Sequence, residues 1–343
     1  MHQFRKDPVT GRWVIVDMEK PRLDFPAQSK VKSSKTCPFC PGNEAMTPPE
    51  ILTYLKNGSL LTERGGSLPA GQAGASGKDW QLRVCPNKFP ALRIEEVPEK
   101  TSEGLYDRVG GFGAHEVIIE NPDHQRELTD LSDEEVELVL RAYRDRYRDL
   151  RKDIRIKYIL IFKNYGREAG ASMEHPHSQL IALPIVPSRV QEEMKGADRH
   201  SQSTERCLFC DMLRQEEAGR KLLVHSEDGF AALEPFAARF PFETWILPTK
   251  HASTFDTLLD AQLRPLARIL KGTLGRLKKA LGDPSYNFMI HSLPLLEKES
   301  ESFHWHIEII PHLTRVAGFE LGSGFYLNPT PPELAAERLR NLI

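Results

Sequence analysis

The feature that most constrains the fold is a repeated pattern of cysteine pairs and histidine pairs. Cys37-Pro38-Phe39-Cys40 is followed by the strand-like His115-Glu116-Val117-Ile118-Ile119-Glu120. Next come Pro122-Asp123-His124, a helical stretch, and His175-Pro176-His177-Ser178-Gln179. Cys207-Leu208-Phe209-Cys210 is followed in the same order by Phe242-Glu243-Thr244-Trp245-Ile246-Leu247, by Lys250-His251, by a second helical stretch, and by His304-Trp305-His306-Ile307-Glu308. Cys37 and Cys207, His124 and His251, and His175 and His304 lie 170, 127 and 129 residues apart. The larger first offset reflects an insertion in the first half, including the Gly-, Ala- and Ser-rich run 65–77, which is expected to form a flexible loop. That run is not a phosphate-binding P-loop: Gly71 to Gly77 is one residue too long, and Asp79 follows Lys78 where Ser or Thr belongs.

A chain of 343 residues has room for about two domains of roughly 150 residues, which matches two fused copies of one unit. The spacing predicts halves at residues 1–198 and 199–343, parted at the polar stretch 195–203. Helices are predicted over 131–153, where Ser132 and Glu135 form a capping-box start, and over 259–281, which Gly282 would stop. Residues 158–162 and 179–186 read as strands. Strands outnumber helices and arrive in runs, so the expected class is α+β, each half an antiparallel sheet with helices packed on it.

The charge balance of 46 Lys+Arg against 48 Asp+Glu offers no single-sign field for a polyanion, which argues against nucleic acid as a partner. The longest apolar runs fall far short of the roughly 20 residues needed to span a membrane. The start, Met1 to Asp7, lacks an apolar signal core, so a cytoplasmic location with reduced thiols is expected.

A C-x-x-C pair suits half a zinc site, a redox dithiol, or chance. A redox pair usually opens a helix after a strand, whereas both pairs here sit among polar, turn-forming residues, the setting of a zinc knuckle. Cys85 reads as a small buried apolar residue. His2, His200, His225 and His312 read as surface or cap residues, and His115 as a strand residue. On a strand, alternation places His175, His177 and Gln179 on one face. The preceding turn, Asn164 to Ser172, is rich in small residues that let backbone N–H groups, Gly170 and Ala171 among them, approach an anion. Asn164 and Ser172 would add neutral donors and Lys163 charge. A neutral imidazole beside such a cradle is a good nucleophile toward phosphorus, and the phosphoryl-imidazole formed is labile enough for a double displacement. Gln179 would donate to a phosphate oxygen where charge develops.

The segment Gly170-Ala171-Ser172-Met173-Glu174-His175-Pro176-His177-Ser178-Gln179 resembles the signature of galactose-1-phosphate uridylyltransferases, the transferase branch of the histidine-triad superfamily. The likeness extends to Asp7-Pro8-Val9-Thr10-Gly11-Arg12-Trp13-Val14-Ile15, Pro86-Asn87-Lys88-Phe89-Pro90-Ala91-Leu92, Pro122-Asp123-His124 and His304-Trp305-His306. The resemblance implies that His177 becomes nucleotidylated while Gln179, Asn164 and Ser172 hold the α-phosphate, with Asn87 touching the nucleoside and Arg22 approaching the phosphates. It also implies a structural zinc at Cys37, Cys40, His124 and His175, and by duplication a second at Cys207, Cys210, His251 and His304. A different metal on Glu193, His291, His304 and His306 is the alternative for the second site. His306 aligns with the nucleophile but precedes Glu308 rather than a glutamine, so the second copy is expected to be catalytically degenerate and to complete a partner's site in a homodimer.

The implied substrates are UDP-glucose and a hexose 1-phosphate, giving glucose 1-phosphate and, from galactose 1-phosphate, UDP-galactose. The tail from Val316 to Pro329 lacks the Lys and Gln that grip the sugar phosphate in the long-chain enzymes. It resembles instead a shorter subgroup acting on ADP-glucose with inorganic phosphate as acceptor, which supplies the alternative reading.

Overall fold

The computed structural model describes residues 2–26, 36–62, 79–296 and 299–342; the run 65–77 lies outside them. The first half contributes β1 (His2–Lys6), β2 (Trp13–Asp17), β3 (Leu52–Leu55), β4 (Leu60–Thr62), β5 (Trp80–Pro86), the hairpin β6 (Lys100–Glu103) and β7 (Tyr106–Val109), β8 (Ala114–Ile119), α1 (Asp133–Leu150), β9 (Tyr158–Tyr165) and β10 (His177–Leu183). Two helices follow, α2 (Ser188–Thr204) and α3 (Leu208–Gly219). The rest of the chain forms β11 (Leu223–Glu227), β12 (Phe230–Leu233), β13 (Thr244–Pro248), α4 (Asp260–Leu281), β14 (Tyr286–His291), β15 (His306–Pro311), α5 (Gly318–Ser323), β16 (Tyr326–Asn328) and α6 (Pro332–Arg340).

The α+β class holds, but the two sheets are fused. Among the described residues, eleven strands form one sheet in the order β11-β12-β13-β15-β14-β9-β10-β8-β5-β3-β4. Read outward from the central β9–β14 pair, β9-β10-β8-β5-β3 and β14-β15-β13-β12-β11 repeat one arrangement, the duplication seen in sequence. The join at β9 and β14 is antiparallel, from Tyr165↔Tyr286 to Ile161↔Ile290, so the halves share a ladder rather than meeting through a linker. Helices α1 and α4 lie on one face and enclose a single apolar core with Leu82, Val84, Ile118, Ile161, Leu180, Phe288 and Ile307. The predicted capping box is present: Ser132 Oγ accepts from Glu135 N and Glu135 Oε2 accepts from Ser132 N. Gly282 ends α4 in the left-handed region.

Two local expectations fail. The polar run 195–203 lies inside α2; its polar residues face solvent while Val190, Gly196 and Ala197 are buried. The second cysteine pair does open a helix, because Cys207 is the N-cap of α3, whereas Cys37 and Cys40 sit in turns. Burial of Leu208, Phe209 and Leu213 on one side of α3 explains the difference.

Candidate active site

At an end of the sheet, where a cavity wall reaches Lys278 of α4, β10 emerges from the loop that carries His175. His175 itself precedes the strand, which begins at His177. The His177 ring is nearly buried, and its Nδ1 lies 2.8 Å from the carbonyl oxygen of His175. A carbonyl only accepts, so Nδ1 carries the proton and Nε2 of the neutral ring keeps its lone pair. Burial favours that neutral form, pushing the ring's pKa down, and the Lys163 charge adds to the effect. His177 borders a cavity of about 410 Å³, whose wall includes His124, Lys163, Asn164, Gly166, Glu174 and Ser285. Gly166 has φ +79°, and a Cβ there would meet the Ser285 hydroxyl at 2.2 Å; the turn beside the cavity therefore requires glycine.

The structure separates the sequence-predicted cradle into parts. Asn164 borders the cavity and its Oδ1 accepts from Asn287 Nδ2 at 2.7 Å. Gln179 is two residues along the strand from the nucleophile, about 7 Å away on the same face, with its Oε1 2.9 Å from His115 Nε2. Gly170 and Ser172 are exposed, and Gly170, Ala171 and Ser172 do not border this cavity among the described residues. Arg22 is exposed, packed over Phe25 and bonded through its backbone to Pro329, and does not border this cavity among the described residues. Lys163 borders the same cavity, with Nζ 3.4 Å from the His177 carbonyl oxygen. Opposite Phe288 in the ladder, it directs its side chain to the helix face, and its charge is committed to Glu120 at 2.7 Å, with Glu127 at 3.6 Å. Glu120 also accepts from Ser178, which contacts the Tyr143 hydroxyl. This buried network braces the nucleophile strand from behind and carries no motif that sequence reasoning would single out. Asn87 borders a separate pocket of about 930 Å³, also lined by His115 and Arg93.

Two cysteine–histidine groups form as predicted, Cys37/Cys40/His124/His175 and Cys207/Cys210/His251/His304, each with four ligand atoms within 4.8 Å of one another. Cys40 Sγ lies 3.4 Å from His124 Nδ1 and 3.6 Å from His175 Nδ1; Cys210 Sγ lies 3.6 Å from Nδ1 of both His251 and His304. Tetrahedral zinc with ordinary Zn–S and Zn–N bonds would set such edges near ~3.6 Å. The tautomers agree: His175 Nε2 donates to Asn121 O at 2.9 Å and His251 Nε2 to Ser300 O at 2.8 Å, leaving both Nδ1 lone pairs facing the thiols. Both groups therefore fit a closed, structural metal site. The alternative set is divided. His304 belongs with the thiols, while Glu193, His291 and His306 gather with Glu308 in a separate buried cluster. There Arg189 and Arg239 already bind Glu308, at 2.9 and 2.7 Å, and His291 binds Glu193 at 2.9 Å, so the acids are neutralised by the protein itself.

His306 repeats the geometry of His177, with Nδ1 3.1 Å from His304 O. Its ring, however, is fully buried, stacked on Trp245 at 5.1 Å and packed against Phe209. The second copy keeps the nucleophile's fold position, but with its ring enclosed by aromatic side chains.

Comparison with known proteins agrees with this geometry. The family model for the N-terminal domain of galactose-1-phosphate uridyl transferase matches residues 67–187, and that for its C-terminal domain matches residues 159–343. ADP-glucose phosphorylase of Arabidopsis thaliana is 36% identical over 99% of this chain and 93% of its own length. Galactose-1-phosphate uridylyltransferase of Thermotoga maritima is 30% identical over 99% and 98%. Among solved structures, the Arabidopsis ADP-glucose phosphorylase with bound ADP-glucose superposes with a TM-score of 0.80 at 35% identity, covering 100% of this chain and 99% of that one. With both domain models matched and relatives aligned along nearly its full length, the chain belongs to the galactose-1-phosphate uridylyltransferase family.

Proposed function

We propose that this protein transfers a nucleotidyl group by double displacement through His177, acting as a UDP-glucose:hexose-1-phosphate uridylyltransferase. The observation that carries the reading is the free Nε2 lone pair of His177 at the wall of the cavity, fixed by the Nδ1 bond to His175 O. Nε2 attacks the α-phosphorus of UDP-glucose, and the bond to the β-phosphate oxygen breaks, releasing glucose 1-phosphate. A phosphate oxygen of the incoming hexose 1-phosphate, galactose 1-phosphate in the lead reading, then attacks the same phosphorus and frees the imidazole. Gln179 and Asn164 supply amide donors to the non-bridging oxygens, and the pocket beside Asn87 takes the nucleoside. Zinc at the two Cys₂His₂ groups would hold the strand mouths in place and take no part in the chemistry. Both groups need thiolates, which suits the reducing cytoplasm. Residues 1–198 would carry the nucleophile; 199–343 would complete the site of the partner in a homodimer.

A second reading, adenylyl transfer from ADP-glucose to inorganic phosphate or a sugar phosphate, is favoured by the 36% identical Arabidopsis ADP-glucose phosphorylase and by the divergent tail. Intact-mass measurement after exposure to UDP-glucose and, separately, ADP-glucose decides between them. A uridylyl adduct supports the first reading and an adenylyl adduct alone the second. His177→Asn should abolish either adduct, and a variant that still labels would sink both.

A further inference from the structure

Asn164 borders the His177 cavity and Gln179 lies two residues along β10 from the nucleophile, and an amide can present either its oxygen or its NH₂ to a phosphate. For Gln179 the choice is made by His115. The backbone N–H of Ala91 lies 3.1 Å from His115 Nδ1 and can only donate, so Nδ1 accepts and the ring proton sits on Nε2. That proton goes to Gln179 Oε1 at 2.9 Å, which turns the Gln179 NH₂ away from His115. Asn87 Nδ2 lies 3.2 Å from the same Nε2, while its Oδ1 is held by the N–H of Phe89 at 2.9 Å. A ring nitrogen that donates cannot also accept, so the Asn87 NH₂ remains available to a ligand.

For Asn164 the choice is made from the other half of the chain. Asn287 Nδ2 donates to the backbone carbonyl of Ala169 at 3.0 Å, which fixes which end of that amide is nitrogen. The same Nδ2 donates to Asn164 Oδ1 at 2.7 Å. Asn287 Oδ1 in turn accepts from His312 Nε2 at 2.5 Å. With its oxygen occupied, Asn164 must present NH₂ to the cavity.

We propose that His115, and Asn287 backed by His312, are positioning residues that lock the Gln179 and Asn164 amides with both NH₂ groups toward the transferring phosphate. Each relay starts from a backbone group whose donor or acceptor character cannot change, so the orientation exists before substrate arrives and costs no reorganisation during reaction. One relay comes from β8 and the other from β14 and the residue after β15, so the second half takes part in catalysis by orienting the first. The inference rests on the nucleotidyl-transfer reading for its consequence, but not for its geometry.

The test is single-turnover labelling of His177 by UDP-glucose or ADP-glucose, whichever labels the wild type. His115→Phe and Asn287→Leu should each slow labelling on the order of 100-fold, the loss that a misplacement of about 1 Å can bring, with KM changing much less than kcat. His115→Gln, which restores a donor toward Gln179, should recover part of the rate. Added to Gln179→Ala, His115→Phe should cost nothing further, and likewise Asn287→Leu on Asn164→Ala. Multiplying losses, or labelling at the wild-type rate, would overturn the proposal. If the wild type takes no label at all, the function reading fails, and the relays are then judged by ¹⁵N NMR of the histidine rings. Both His115 and His312 as Nε2–H tautomers would support the relays; either ring as Nδ1–H would overturn them.

Discussion

Glu127 borders the cavity beside His177. Burial pushes its carboxyl up to about 7, because the opposing pull of Lys163 at 3.6 Å is already shared with Glu120 at 2.7 Å. Its ordinary value is 4.5, so the folded protein holds a proton that the unfolded chain releases between about pH 4.5 and 7. That contribution to stability is fully present below the lower value and lost as pH rises through the upper one. Glu127→Gln mimics the protonated side chain. The variant should melt above the wild type at pH 8, by up to about 3 kcal/mol, with a smaller difference at pH 5.5; a variant less stable than wild type at pH 8 would refute the account. Legibility at this scale is uneven. His177, Gln179 and the two C-x-x-C pairs stand out by their local spacing, whereas His124, His175, His251 and His304 join the thiols through the family resemblance and the duplication, since they lie far along the chain from them. Lys163, His115 and His312 do neither. Their partners Glu120, Gln179 and Asn287 are brought to them by the tertiary fold, and only the side of the sheet on which Lys163 falls shows that its charge is committed to Glu120. Alternation along β9 held that signal: Lys163 has the parity of Ile159 and Ile161, which line the core.

At the scale of elements, what positions the nucleophile is the mouth of β10. The His175 ring is tied to Asn121 O and faces Cys40, and its carbonyl fixes His177. Cys37→Ser should lower metal content by about one equivalent and slow His177 labelling, because the loop that orients the ring loses its anchor. Cys207→Ser should remove the other equivalent and leave labelling much closer to wild type. Equal loss of labelling in both would show that the first group has no special hold on His177. The capping box of α1 gives a smaller effect: Ser132→Ala should cost about 1 kcal/mol, read as a lowered urea midpoint with labelling unchanged. These elements were legible because their signals are periodic or terminal. The predicted 131–153 and 259–281 became Asp133–Leu150 and Asp260–Leu281. The polar run 195–203 misled for the opposite reason: a helix exposed along most of its length reads like a linker, and its few buried positions show only once it packs.

At the scale of the whole molecule, the two halves cannot be treated as beads. The β9–β14 ladder crosses the sheet centre, α1 and α4 bury their apolar faces in one core, and Arg148 and Arg144 of α1 donate to the backbone of Asp256 and Leu258 just before α4. The chain ends are tied too: β16 pairs with β2 in parallel, and Arg5 reaches Glu333 at 3.0 Å. Exposing either half would uncover apolar surface belonging to both, so denaturation should be a single cooperative event despite the chain's length. Buried tryptophans provide the test, since Trp80 reports on the first half and Trp245 and Trp305 on the second. In urea, a Trp80→Phe variant and a Trp245→Phe/Trp305→Phe variant should each show one transition that coincides with loss of far-ultraviolet circular dichroism. Adding Cys207→Ser to the second variant should lower the midpoint seen by Trp80, although the lost metal group lies in the other half. A Trp80 midpoint that ignores Cys207→Ser would mean that the halves unfold separately and that the shared ladder contributes little to their coupling.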